Sequence, residues 1–343
     1  VTHLLYEHPE FLRRTVPLER SKIRGECAGK YLTKHPFFMQ DLLEQIERKY
    51  HQLGQNPETY LQGLLLSKPV NYWEYIQVDT LLSLQKTRTD FKDETIFIVY
   101  HQITELVLKL IRHELEQLTT GDLPDPAVFS EKMHRLVRYT RLLSTSFSIM
   151  NQGMRYEDYN QFRLALAPAS GFQSAQFRYI ELHCTPLDHL IPPHRRDKVP
   201  DNCPLEDQFQ YLYWQDAGYD RATGAKSLTL LQFEERYLES FVALARKMQA
   251  DNLSARYLAL EQQGRSTDDL RSVLRTFDYT FNVSWPLVHL QTAHTYLGGG
   301  QHETAATGGS HWEKYLHPKF QKRIFFPSLW SEEERAAWGD VHG

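Results

Sequence analysis

The chain has 343 residues, of which 41% are hydrophobic and 24% charged, with a formal net charge of −4. That is an ordinary globular composition, long enough for a large core. It has no long run of one charge sign and no apolar stretch near the ~20 residues needed to span a bilayer. Nucleic-acid binding and membrane attachment are therefore not expected.

The segment starting Val1-Thr-His-Leu-Leu-Tyr6 has no basic stretch followed by an apolar run, so no signal peptide is expected. Residues 1–35 are weakly periodic and read as an arm; residues 1–70 as a whole read as that arm plus short helices. Pro36 opens a helix that ends at Gly54. Asn56-Pro57 is a cap and first-turn proline for a short helix to about Ser67. A third helical segment is read from Tyr72 to Gln85.

The clearest helix spans about 91–119. Ile96, Val99, Ile103, Leu106 and Leu110 form one stripe, and Phe97, His101, Leu108 and Leu115 a second beside it. Two apolar faces predict a helix central to a bundle. Asp125-Pro126 caps the next helix, to about Asn151. Helices follow near 156–166 and 171–184, the latter capped by Ser170, and then a proline-rich loop over 185–203. Further helices are read near 204–216, 227–250 and 252–263, and the region 200–265 reads as a small helical insertion. Ser266 or Thr267 caps a long helix to Leu297, which Pro286 should kink. A glycine-rich loop covers 298–311, and short helices are expected near 312–322 and 331–338. No segment alternates like a strand, so the fold class is all-α, a helical bundle with its main domain over 71–343.

Three cysteines, Cys27, Cys184 and Cys203, with no CxxC, fit a reducing compartment, and a cytoplasmic location is expected. The missing CxxCH gives no signal for covalent haem attachment. His183, His189 and His194 lie close in sequence without a known ligand spacing, and there is neither HExxH nor GxSxG.

Other residues admit two readings each. Phe97 and His101 are four apart and share a helix face; His101 is a core histidine bonded to Glu105, or it faces a ligand. Tyr159 and Arg163 are also four apart; they are a stacked surface pair, or they hold a small anionic aromatic molecule by its ring and carboxylate. His289, with Trp285 and Tyr296 on the same helix, is a packed histidine or an axial haem ligand. Thr307-Gly-Gly-Ser310 is a plain loop or one that closes over a ligand through backbone N–H groups.

Four segments in order bear on these alternatives. They are Tyr72-Trp-Glu-Tyr-Ile-Gln-Val-Asp79 with Leu81–Gln85; Phe97-Ile-Val-Tyr-His-Gln-Ile-Thr-Glu-Leu106; Phe162–Ser174 running on to Gln176–Glu181; and His289-Leu-Gln-Thr292 followed by Thr307–Ser310. Their combination resembles the tryptophan 2,3-dioxygenase family. The resemblance implies a b-type haem with His289 as proximal ligand and His101 as the distal histidine facing the indole N–H. It implies that Phe97 walls the indole pocket, Arg163 pairs with the substrate carboxylate, and Tyr159, Leu166 and Ser170 line the pocket. Thr307 would bind the ammonium and carboxylate end. Tyr72, Tyr75 and Ile76 would reach into a neighbouring subunit of a homotetramer. The implied reaction adds both atoms of O2 to L-tryptophan or a related aromatic amino acid, giving N-formylkynurenine from tryptophan and so feeding tryptophan catabolism along the kynurenine pathway. Two other readings are a relative that hydroxylates or monooxygenates a modified tryptophan or tyrosine, and a haem- or ligand-binding protein without turnover. The chain departs from the family pattern at His311-Trp312, at Ile103 and Val107, and at Pro286.

Overall fold

The computed structural model describes residues 36–166, 171–219, 224–297 and 316–340. Two compact units divide at Asp79 and Thr80. Among the described residues the elements are helical, and the single isolated β-bridge, Tyr219 with Lys226, forms no strand.

In the first unit, α1 (Pro36–Gln52) and α2 (Pro57–Leu66) pack on one another. Asn56 caps α2 by accepting the Glu58 N–H at 3.0 Å, with Pro57 in the first turn. The helix expected over 72–85 is instead two short pieces, α3 (Tyr72–Ile76) and α4 (Val78–Leu82). Gln77 causes the break: its φ of 58° lies in the left-handed region, which ends a right-handed helix. Its carboxamide donates back to the Glu74 carbonyl, which closes the end of α3.

The second unit is built around α5 (Glu94–Leu118), which packs against α6 (Pro126–Ser146) and α9 (Ala175–Cys184). Between these last two lie α7 (Ser148–Gly153) and α8 (Tyr156–Leu166). The helix expected to reach Asn151 therefore ends at Ser146, and a separate turn follows. The segment read as 171–184 opens with a 3-10 turn over Gly171–Gln173, and its α part starts only after Ser174; Ser170 lies outside the described residues. The proline-rich stretch carries a 3-10 turn, Leu187–Leu190, and α10 (Pro193–Arg196), because prolines that cannot continue a helix can still start one. Beyond it, α11 (Leu205–Gln208) runs into 3-10 turns through Gly218. Then α12 (Leu228–Met248) packs on α9, and α13 (Leu253–Gln262) touches α9 as well.

Of the second stripe predicted on α5 only Leu108 and Leu115 are buried, His101 being exposed and Phe97 half-buried, and the core face runs on to Ile111 and Leu118. Leu108, Ile111, Leu115 and Leu118 are buried under α6 and α9, whereas Leu106 and Leu110 of the first stripe are exposed. Facing them, Phe129, Met133, Leu136 and Leu143 fill the inner side of α6. Each such side chain contributes on the order of 1.5–3 kcal/mol on burial.

The long C-terminal helix is not one continuous α-helix. Thr267 caps α14 (Asp268–Tyr279) by accepting the Leu270 N–H, a π turn covers Thr280–Ser284, and α15 (Trp285–Leu297) follows. Pro286 explains the π turn. It has no N–H to give to the carbonyl one turn back, and the Trp285 N–H reaches five residues back to the Thr280 carbonyl. The helix expected over 312–322 is reduced, among the described residues, to α16 (Pro318–Gln321), and α17 (Glu332–Ala336) closes the chain.

The C-terminal segment returns to the core at two buried acids. Asp278 on α14 accepts the N–H groups of Phe325 at 3.0 Å and Phe326 at 3.1 Å, the Trp330 indole N–H at 3.0 Å and the Asn282 amide at 2.8 Å. Burial still pushes its carboxyl upward in pKa, against those four donors. Glu181 on α9 accepts from Arg178 at 2.8 Å, from Arg323 at 2.9 Å and from the Tyr213 hydroxyl at 2.8 Å.

Candidate active site

Three helices meet around the predicted residues. α8 packs on both α5 and α15, and the Tyr159 ring lies against Phe97 of the one and Tyr296 of the other.

On α5 the ring of Phe97 lies 4.1 Å from that of His101, 5.7 Å from Phe162 and 6.1 Å from Tyr159. The expected bond from His101 to Glu105 is absent. Instead the Nδ1 of His101 is 2.7 Å from the carbonyl of Phe97, one turn back, and Glu105 accepts from Gln176 at 2.9 Å. A carbonyl can only accept, so Nδ1 carries the proton and Nε2 is left with its lone pair. Burial lowers the pKa of His101, against the opposing pull of the Phe97 carbonyl and of Glu105. The ring is therefore neutral at pH 7, with an acceptor nitrogen.

On α15 the His289 ring stacks on Phe147 at 5.4 Å, and Phe147 leads through Tyr100 at 5.2 Å back to His101 at 5.3 Å. Its neighbours are thus not the Trp285 and Tyr296 of its own helix: Trp285 packs on Phe177 and Phe281, and Tyr296 on Tyr159. Burial, and secondarily the nearby His101, lower the pKa of His289 to about 4. Both imidazoles present accessible surface, yet desolvation by surrounding protein is the main influence on each. Each ring is thus packed among protein atoms while keeping part of its surface open. Among the described residues no hydrogen bond engages the His289 ring, so a neutral imidazole keeps a lone pair on that open surface. This is the donor that a haem iron requires from one side, with aromatic surface around it. The residues fit a haem held by His289.

On α8 Tyr159 and Arg163 are buried, with 8% and 7% of their surfaces exposed. A surface pair is thereby ruled out for both. Arg163 donates from Nε to Asn160 Oδ1 at 3.1 Å. Leu166, at the end of α8, is half-buried against the core. Ser170 and Thr307 lie outside the described residues. Tyr72, Tyr75 and Ile76 belong to the first unit, where all three are exposed.

Sequence reasoning missed Tyr100, Phe147, Asn160 and Phe162. Tyr100 and Phe162 stand inside the quoted motifs and were within reach. Phe147 carries no local signal, because its partner His289 is remote in sequence. Two surface clefts of about 410 and 480 Å³, both bordered by His189 and Arg196, include none of the predicted site residues. Among the described residues no three His, Cys, Asp or Glu side chains cluster as metal ligands; His183 is bonded to Thr119 and His189 to Thr185.

Comparison with known proteins gives the family. The sequence pattern of the family described as Tryptophan 2,3-dioxygenase matches residues 63–195, which include α5, α8 and the Phe162–Glu181 segment. A tryptophan 2,3-dioxygenase of Geobacillus thermodenitrificans is 30% identical over 273 residues, covering 76% of this chain and 91% of its own. That of Caulobacter vibrioides is 29% identical over 78% of this chain and 98% of its own, and that of Rattus norvegicus 33% over 49% and 42%. With the aligned region running from the exposed helices of the first unit through the buried Arg163 to most of the second, the chain belongs to the tryptophan 2,3-dioxygenase family.

Proposed function

We propose that this protein opens the indole ring of L-tryptophan with O2 to give N-formylkynurenine, using one non-covalent b-type haem held by His289. The observation that carries the proposal is the pairing of two neutral imidazoles linked through the Tyr100 and Phe147 rings, with a buried arginine on a helix that packs on both of theirs. Haem, when bound, supplies the oxygen chemistry of the reaction, and the protein supplies orientation and polarity.

His101 presents Nε2 to accept the indole N–H, and the carbonyl of Phe97 keeps its proton on the far nitrogen. The Phe97 and Phe162 rings, with Tyr159 and Leu166, give the indole an apolar wall and exclude water. Arg163 takes the carboxylate in a charge-assisted pair, so that ring and head group together fix the C2–C3 bond at one place. On the family resemblance, Ser170 and Thr307 complete the pocket from beyond the described residues. Tyr72, Tyr75 and Ile76, exposed on α3, complete the pocket of a neighbouring subunit in a homotetramer. The reading includes a cytoplasmic place in tryptophan catabolism; among the described residues no helix is long and apolar enough to cross a membrane.

The test is an optical titration of the haem-loaded protein with L-tryptophan without oxygen, followed by O2 and mass analysis of the product. The expected outcome is a spectral change on binding and a product heavier by two oxygen atoms. A gain of one oxygen would replace the proposal with a monooxygenase, and binding without turnover would replace it with a ligand-binding protein.

A further inference from the structure

We propose that Asn160 is a positioning residue that fixes the guanidinium of Arg163 and ties it to the end of the helix that carries His289. This rests on the reading of Arg163 as the carboxylate partner.

The argument starts with the end of α15. The last carbonyls of a helix have no donor within it, and Tyr296 is the penultimate residue of α15. The half-buried Asn160 supplies that donor: its Nδ2 lies 3.3 Å from the Tyr296 carbonyl and 3.0 Å from the Tyr156 carbonyl. Both amide protons therefore point at carbonyl oxygens. A flipped amide would set oxygen against oxygen at both places, so the orientation is determined. Oδ1 is left to accept, and it accepts the Nε–H of Arg163 at 3.1 Å.

A second grip holds the same junction. The Tyr296 ring packs on Tyr159 at 4.8 Å, and its hydroxyl donates to the Met150 carbonyl at 2.6 Å on α7. Asp93, at the start of α5, accepts the Arg155 N–H at 2.6 Å just before α8 begins. The base of α8 is thus clamped to α5 and α15 together, and Asn160 is the member of the clamp that also holds Arg163.

An arginine side chain is costly to order, because it has many rotamers to lose. With Nε engaged by Asn160, that ordering is done before substrate arrives, and a carboxylate is met through the Nη donors. Removing the amide should weaken recognition of the carboxylate without touching the groups that meet the indole.

The experiment uses haem-loaded wild type, Asn160→Ala, Asn160→Asp and Arg163→Ala, with L-tryptophan and with indole, which has no carboxylate. For Asn160→Ala the expected result is a rise of about tenfold in Kd and KM for L-tryptophan, roughly 1.4 kcal/mol. Its kcat and its Kd for indole should stay within about twofold of wild type. Asn160→Asp should lose more, since its carboxylate competes with the substrate for Arg163 and cannot donate to the Tyr296 carbonyl. A wild-type Kd for L-tryptophan in Asn160→Ala overturns the proposal. So does an equal loss of both ligands, including failure of both variants to fold, which would make Asn160 a structural residue. Arg163→Ala separates the two levels: if it also loses both ligands equally, the carboxylate reading of Arg163 falls with it. If it loses L-tryptophan selectively while Asn160→Ala does not, only the positioning role falls.

Discussion

At the scale of residues, the roles proposed for Arg163 and His101 make different demands on the same substrate. Loss of a desolvated charge pair typically costs about 2–5 kcal/mol in binding. Arg163→Ala should therefore weaken L-tryptophan binding by roughly 30- to several-thousand-fold, and indole binding far less. His101→Ala removes a neutral acceptor worth about 0.5–1.5 kcal/mol, so binding of both ligands should fall modestly and alike. Spectral titration of both variants with both ligands checks the contrast. His289→Ala should abolish the native Soret band and the haem content of the purified protein; a wild-type spectrum in that variant would remove His289 as the ligand. The pairs Phe97 with His101 and Tyr159 with Arg163 were legible in the sequence because both are four residues apart on one helix. Asn160 and Phe147 were not. Their partners Tyr296 and His289 lie more than a hundred residues away, and only the packing of α8 and α7 on α15 brings them together.

At the scale of elements, the caps at Asn56, Asp125 and Thr267 were legible, and each accepts the expected backbone N–H. The choice between the two apolar stripes of α5 was not. Both have helical spacing, and which one is buried depends on where α6 and α9 lie. The end of α5 carries a pH-sensitive join. Its C-cap Thr119 donates its hydroxyl to the Leu115 carbonyl at 2.8 Å, so His183 Nδ1, 2.9 Å away, must donate to Thr119. Burial, the largest influence, lowers the pKa of His183 from 6.5 to about 4. The unfolded chain therefore binds the proton more readily than the folded one. Stability from His183 is complete above pH 6.5 and is lost progressively as pH falls toward 4. Between pH 7 and 5 its share should be about 2 kcal/mol. Urea unfolding at the two pH values should show that loss in wild type, and a smaller one in His183→Leu.

At the scale of the whole molecule, apolar side chains that the chain does not cover argue for assembly. In the first unit Leu64, Leu65, Leu66, Val70, Tyr72, Trp73 and Tyr75 are exposed, and in the second Leu106 and Leu110 are. Such a concentration of exposed large apolar residues marks an interaction surface. Light scattering should give a species larger than a monomer at micromolar concentration. The double variant Leu65→Ser/Leu66→Ser should shift it toward smaller species, and a monomeric wild type would count against the tetramer. The clasp at Asp278 has a consequence for how the chain is made. Domains tend to fold as synthesis proceeds, from the N-terminus onward. The helix that leads to His289 holds a buried carboxylate, and three of the four donors to it come from Phe325, Phe326 and Trp330. Until those residues leave the ribosome, the acid must stay wet or bury with Asn282 as its one donor of the four, at a cost of at least about 1–3 kcal/mol. Seating of the helix that carries His289 is therefore expected among the last events of biosynthesis, and, on the proposed haem reading, a nascent chain halted before Phe325 should fail to capture haem even though the residues proposed for the pocket have already been translated.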